Sequence, residues 1–265
     1  MKRPDYKNWV PTSMVLGLAA ATAASGSLFA LLGTNEKRLK GMPRQICAAA
    51  FGLGTPVLGF FTVWMAALHN TFDEKGKRKL ARTIVDGTAE HVHIPEGGTG
   101  LDVGCGSGAL TIACAKRNPK AGMVGCDIWS GAYKAVFSQK RCEENALAEG
   151  VSNVRFEQGN AIHLPYADEC FDAVTSNYVY HNIAGKKKQE LLLETLRVLK
   201  KGGCFAIHDL MSWARYGDMD AFVQRLRDEG YEEVHLLDTT DGSFMGKREA
   251  AWLGLGGSTL LVGKK

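Results

Sequence analysis

The sequence predicts an α/β fold, a mostly parallel seven-stranded sheet with helices on both faces, preceded by a hydrophobic helical hairpin. Three observations predict it. Strand-like and helix-like segments alternate from residue 98 onward, as they do where crossover helices join parallel strands. A glycine-rich turn, GLDVGCGSGAL at Gly100 to Leu110, joins the first strand of that series to its first helix. Two runs free of Asp, Glu, Lys and Arg, Ser13 to Asn35 and Ile46 to Thr71, come before it. The chain therefore divides into an N-terminal hairpin (1–72), a connecting amphipathic helix (73–97) and an α/β domain (98–265). At 265 residues and 45% hydrophobic content, it is long enough for one full-sized core and an appendage.

Each apolar run is long enough to cross the ~30 Å hydrocarbon layer as a helix of ~20 residues. The second is the richer in large side chains, with Phe51, Phe60, Phe61, Trp64 and Leu68. Its Pro56 and glycines weaken a soluble helix but are tolerated in lipid, where small residues let helices approach closely. Together the runs read as a membrane hairpin over 13–71; the alternative is a pair of buried helices. The loop between them carries Lys37, Arg38, Lys40 and Arg44, and the segment after them carries Lys75, Lys77, Arg78, Lys79 and Arg82. The slight excess on the domain side places that domain on the cytoplasmic face, if both helices span. The basic loop runs against that expectation, and a hairpin dipping into one leaflet, with all the basic clusters at an anionic surface, fits the charges better; both geometries stay open.

Charge is unevenly distributed. Up to Arg82 there are 12 Lys and Arg against 4 Asp and Glu; beyond it the balance is 20 against 24. An acidic α/β domain lacks the clustered cations that nucleic-acid backbones require, so nucleic acid is not expected as a partner. The seven cysteines, at 47, 105, 114, 126, 142, 170 and 204, have no C-x-x-C pair or accompanying His spacing, which points to reduced, mostly core thiols and to no metal site.

Along the domain the elements follow in order. Asp73 to His93, with apolar positions at Leu80, Ile84, Val85 and Val92, reads as the connecting helix, ended by Pro95 and Gly97–Gly98. Strand one ends at Val103, and a helix covers Ala109 to Arg117. Gly122 to Asp127 is strand two, Ala132 to Glu149 a helix, Val154 to Gln158 strand three and Phe171 to Asn177 strand four. A helix over Lys188 to Leu199 leads to strand five, Cys204 to Asp209. Met219 to Asp228 is a last crossover helix, and Glu233 to Asp238 and Thr259 to Lys264 are strand-like with a Gly-rich connection between them.

The glycine turn is a nucleotide-type feature. Gly104, Gly106 and Gly108 let the backbone turn tightly and approach a ligand, and the following helix presents free amides to it. By itself the turn also satisfies the G-x-G-x-x-G/A dinucleotide pattern, so an NAD(P)-linked oxidoreductase stays open at this point. Asp127 ends strand two nineteen residues after Gly108, where a carboxylate accepts from both hydroxyls of a ribose. Downstream lie GNAIHLPYADECFDAVTSNYVYHNI, Gly159 to Ile183, and LRVLKKGGCFAIHD, Leu196 to Asp209.

With those blocks in that order, the sequence from about Gly98 onward resembles the class I S-adenosylmethionine-dependent methyltransferases, especially the small-molecule branch that includes quinone-biosynthesis C-methyltransferases. The resemblance implies a Rossmann-like sheet and S-adenosylmethionine as cofactor. It implies that the turn with Asp102, Gly104, Gly106 and Gly108 wraps the methionine and ribose, that Asp127 holds the ribose, and that Ile128 and Trp129 pack near the adenine. Asn160 and Ala161 fall where the family usually has Asp-Ala beside the adenine amino group; Asn keeps the hydrogen bonds without the charge. Asn177 falls where the family lines the reactive pocket. The turn has no Lys or Arg from Gly100 to Cys114, which suits a sulfonium cofactor without a diphosphate.

His181 is the candidate catalytic base, with Tyr178 and Tyr180 beside it after strand four, at the sheet edge where ligands bind in such folds. Loop packing is its alternative role. His163 and His208 carry less signal, and Asp209 reads either as a pocket acid or as a solvated turn. Lys186, Lys187 and Lys188 oppose the dipole of the helix they precede; a solvated face is the default reading, and an anion or membrane contact the alternative. The sequence thus points to a membrane-anchored methyltransferase acting on a small, apolar or membrane-partitioning acceptor, with a non-catalytic cofactor-binding membrane adaptor as a further alternative.

Overall fold

In the computed structural model the described residues are 3–130 and 137–265. They divide into two compact units, one of residues 8–82 and one of residues 1–7 with 83–265.

The smaller unit is a helical hairpin. Helix α1, Thr12–Leu28, continues through a π-helical turn at Phe29–Gly33, and α2 runs over Gly41–Phe72 with Pro56 inside it. Both are long and apolar enough to cross a membrane, and scarcely any of either is buried. They pack through small residues and hydroxyl pairs: Thr22 with Thr62, and Ser25 with Thr55, each 2.9 Å apart. A Cβ on Gly33 would lie 2.9 Å from the Ala48 Cα, so glycine is needed for that approach. At the open end, Asn8 donates to the His69 carbonyl (2.7 Å) and Trp9 packs on Phe72, tying the two ends together. The outward faces carry Leu16, Leu53, Phe60 and Val63, all exposed.

The larger unit is built on a seven-stranded sheet. After α3, Leu80–Ala89, come β1 (Thr99–Val103), α4 (Ala109–Arg117), β2 (Gly122–Asp127), α5 (Gln139–Ala148), β3 (Val154–Gln158) and β4 (Phe171–Asn177). Then follow α6 (Lys188–Arg197), β5 (Leu199–Leu210), α7 (Trp213–Tyr216), α8 (Met219–Asp228), β6 (Glu232–Asp238), α9 (Lys247–Leu253) and β7 (Ser258–Lys264). The strand order is β3-β2-β1-β4-β5-β7-β6, with β7 antiparallel to both neighbours and the pairs among β1 to β5 parallel. One face buries Leu192, Leu196, Phe222 and Leu226 of α6 and α8; the other buries Val85, Leu110 and Cys114 of α3 and α4. This confirms the predicted α/β architecture.

Five of the sequence-based assignments differ in the structure, one of them β5, which begins at Leu199 rather than Cys204. The connecting helix is confined to Leu80–Ala89, because α2 runs on to Phe72 and the chain then turns at Gly76, whose amide donates to the Asp73 carbonyl. The helix expected from Ala132 begins at Gln139, capped by the Ser138 hydroxyl accepting from the Arg141 amide; residues 132–136 of that expectation lie outside the described ones. α6 stops at Arg197, since Leu199 already pairs with Phe171. The connection before β7 holds α9, closed by Gly254 in the left-handed conformation.

The order of the strands sets the site. The chain leaves β1 toward β2 on one side and returns on the other through β4, so a crevice opens at their C-terminal ends, where ligands bind in open α/β sheets.

Candidate functional site

The glycine turn lies at that switch point. Gly104 (φ +73°) donates to the Cys126 carbonyl at 2.8 Å, and a Cβ there would fall 2.4 Å from the Val179 side chain. Gly108 (φ +83°) precedes α4, with Phe156 3.0 Å from a notional Cβ. Gly106 differs. It too has positive φ (+56°), but no described residue lies within 4 Å of its notional Cβ, so among the described residues it borders open space that a side chain would fill.

Asp102 stands beneath this turn rather than in the opening. It is 1% exposed, and its two oxygens accept from Thr111 of α4 (2.6 Å) and Thr175 of β4 (3.1 Å). Burial pushes its carboxyl up to about 6, against the pull of those two hydroxyls. It braces the strand-to-helix junction.

Asp127 reaches back from the end of β2. One oxygen accepts from the Gly106 amide (2.9 Å) and the other from the Trp129 amide (2.8 Å). A carboxylate has about four acceptor positions, so two remain for further hydroxyls. The Trp129 indole donates to the Gly106 carbonyl (3.0 Å) from a residue at φ +38°, which places the ring against the turn. Ile128 beside it is 45% exposed. Across the opening, Gly159 donates to the Asp127 carbonyl, and Asn160 and Ala161 follow; the Asn160 side chain accepts from the Ile162 amide (3.0 Å). Ile162 is 40% exposed, so two apolar side chains flank the place where the sequence expects an adenine.

The other side of the crevice is made by side chains of β4 and β5. His181 Nδ1 lies 2.5 Å from an oxygen of Asp209, whose other oxygen accepts the His181 amide at 3.1 Å. Asp209 is fully buried; burial pushes its carboxyl up, but the His181 bond and a backbone amide outweigh this and hold it below the usual carboxylate range. With Nδ1–H donated to a carboxylate, the imidazole keeps Nε2 as its acceptor. Asp209 is therefore not a solvated turn; it is a buried acid that fixes the His181 ring.

Tyr178, at φ +54°, packs its ring on His208 (4.7 Å) and hydrogen-bonds Ser258 at 2.6 Å. Asn177 contacts His208 Nδ1 (2.9 Å), and His208 Nε2 contacts Thr239 (2.9 Å), which donates to the Ser258 carbonyl. Burial lowers His208 to about 4, so the ring is neutral. Tyr180 is not brought to the crevice: it is fully buried in the core with its hydroxyl on Thr195 (2.6 Å). His163 is exposed near Glu194.

The sequence reading missed Ile162, the Asn177–His208–Thr239–Ser258 chain and the pairing of His181 with Asp209. Only the last left a signal, since both residues follow strands that parallel αβ logic sets side by side. The chain through His208 depends on β7 inserting between β5 and β6, which no local pattern encodes.

A parallel sheet with a glycine turn, an acid ending β2 and a polar edge on β4 and β5 is the architecture of α/β proteins that bind nucleotide-type ligands. A family described as a methyltransferase domain matches residues 94–245. The chain belongs to that family and is an S-adenosylmethionine-dependent methyltransferase, which removes the dinucleotide alternative. It is 28% identical over 179 residues to a demethylmenaquinone methyltransferase of Bacillus velezensis, covering 63% of this chain and 73% of that one. With the demethylmenaquinone methyltransferase of Lactobacillus johnsonii it shares 34% identity over 162 residues, 57% of this chain and 64% of the other. The fold is also that of the geranyl diphosphate C-methyltransferase of Streptomyces coelicolor (TM-score 0.53, 17% identity, 72% of this chain and 78% of that one). The [4+2]-cyclase SpnF has it too (TM-score 0.52, 21% identity, 71% and 82%), so this fold alone does not fix a reaction.

Proposed function

We propose that the chain is a membrane-anchored methyltransferase that transfers the methyl of S-adenosylmethionine to a small, membrane-partitioning acceptor. The observation that carries the reading is a crevice with two unlike walls, a backbone-and-acid wall at Gly104–Gly108 and Asp127 and a histidine–carboxylate wall at His181 and Asp209. The open space at Gly106, the spare acceptor positions of Asp127 and the exposed Ile128 and Ile162 suit an adenosyl group. Asn160, Ala161 and Trp129 border it.

S-adenosylmethionine supplies an electrophilic methyl on a sulfonium. The amides of the turn would hold the carboxylate of its methionine part and turn carbonyls the ammonium, since both Asp102 oxygens already accept from Thr111 and Thr175. Asn177 and Tyr178 hold the acceptor side in line. With the cofactor bound, methyl transfer would leave S-adenosylhomocysteine with the electron pair of the broken carbon–sulfur bond; His181 Nε2 would take the acceptor's proton, and Asp209 would stabilise the resulting imidazolium.

Membrane attachment is supported by the two long apolar helices with lipid-compatible outer faces and small-residue packing between them. The hairpin spans the bilayer, or dips into one leaflet, with the catalytic unit on the cytoplasmic side. The relatives' names make a demethylated isoprenoid quinol the first acceptor to test. Full-length protein reconstituted in lipid should move labelled methyl from S-adenosylmethionine to such a quinol and not to short-chain, water-soluble phenols. Recovery of the chain as a stable monodisperse species without lipid or detergent would refute the anchoring.

A further inference from the structure

Outside the crevice, the ends of α6 and α7 form a surface that the reaction does not use. Trp213, the first residue of α7, is 78% exposed, more than any other tryptophan or phenylalanine among the described residues. Beside it is a cavity of about 680 Å³ lined by Lys187, Lys188, Arg215 and Arg225, with Tyr216 and Phe222 on its apolar side.

Cations outnumber acids along this cavity. Lys187 and Lys188 sit at the first turn of α6, where the helix dipole is already positive and no side chain caps the amides. Two acids, Glu190 and Asp218, line the same cavity, and Glu229 lies beside it in reach of Arg225. Glu190 faces Lys187 (3.6 Å), Glu229 pairs with Arg225 (2.7 Å) and Asp218 caps α8 through the Ala221 amide (2.9 Å). Arg215 has no ion pair among the described residues, and Lys186 adds an exposed charge next to the cavity mouth. The Tyr216 side chain, 4% exposed, turns its hydroxyl toward the buried Asp209 carboxylate.

We propose that this surface docks the catalytic unit on an anionic bilayer, with the Trp213 indole in the interfacial layer and lipid phosphates at the cationic cavity. Charge complementarity selects the occupant: an exposed indole beside a cavity whose four lining cations outnumber its two lining acids matches a headgroup layer, whose interface takes up tryptophan and whose negative potential attracts Lys and Arg. A protein partner would be expected to bury a broader apolar patch than one tryptophan. The proposal rests on the membrane attachment argued above, and it adds a direction. α6 follows His181 and α7 follows Asp209, so the docked surface is the one next to the acceptor wall, where a lipophilic acceptor leaves the bilayer.

The test is hydrogen–deuterium exchange on the full chain in nanodiscs of phosphatidylcholine with and without phosphatidylglycerol. Peptides over 183–190 and 211–219 should exchange about fivefold more slowly in the anionic discs. That slowing should vanish in the double variant Lys187→Glu, Arg215→Glu and shrink in Trp213→Ser. Equal exchange in the two discs, with the chain still disc-bound, would overturn the proposal. So would the same slowing produced by inorganic phosphate in neutral discs, which would make the cavity a site for a free anion. Release of the chain from both discs would overturn the membrane reading itself.

Discussion

At the ends of β1 and β2 the crevice is walled by backbone: three glycines with positive φ, amides gathered on Asp127, and a carboxylate, Asp102, locked underneath by two threonines. At the ends of β4 and β5 it is walled by side chains, with His181 set by Asp209, Asn177 by His208, and Tyr178 by Ser258. A backbone wall suits a ligand that never changes, because nothing in it can be swapped without moving the chain. A side-chain wall suits a ligand that varies between relatives, because single substitutions reshape it. On the proposed function the first wall takes the donor and the second the acceptor.

The comparison can be broken at either wall. The largest effect is expected on the acceptor side: His181→Ala should lower turnover by roughly 10² to 10⁴, while the affinity for the cofactor stays as it was. Single-turnover methyl transfer with labelled donor checks this, and rates unchanged at all pH values would remove the base. On the donor side, Gly106→Leu should weaken cofactor binding about 100-fold, or ~2.7 kcal/mol. The protein should stay folded, with roughly 1–2 kcal/mol of strain from the left-handed conformation. Calorimetry and thermal melting separate the two. Gly104→Ala should instead damage folding, because its Cβ meets Val179.

A smaller and subtler contrast lies in pH dependence. Asp102, raised to about 6, binds a proton in the folded state before the unfolded state does, so its contribution falls as pH rises from about 4 to 6. His208, lowered to about 4, behaves oppositely: the unfolded state takes the proton first, so stability is lost as pH falls from about 6.5 to 4. Each effect is on the order of 3 kcal/mol, and they oppose each other over the same window. Asp102→Asn should therefore make the protein more sensitive to acid, and His208→Gln less. Denaturant titrations at pH 4.5 and 7 on the full chain in detergent measure both.

The two walls also differ in how far the sequence reveals them. Glycine spacing, the acid ending β2 and the strand–helix alternation are local, and strands β1 to β4 lie within a residue of where the pattern puts them. Asp102 was legible as part of the motif but not as a buried brace, because its partners Thr111 and Thr175 come from two other elements. Tyr180 shows the reverse error. It neighbours His181 in sequence, yet a 3₁₀ turn at Tyr180–Asn182 sends its side chain into the core. The His208 chain required the antiparallel insertion of β7, a pairing over long sequence separation that periodicity does not carry. The hairpin was legible because composition alone decides the length of an apolar helix.

The most direct test is calorimetric titration of S-adenosylmethionine into the full chain and into Asp127→Ala and His181→Ala. The account predicts binding to the parent chain, a loss of about 10- to 100-fold in Asp127→Ala, and no change in His181→Ala. Undiminished affinity in Asp127→Ala would contradict the assignment of the two walls.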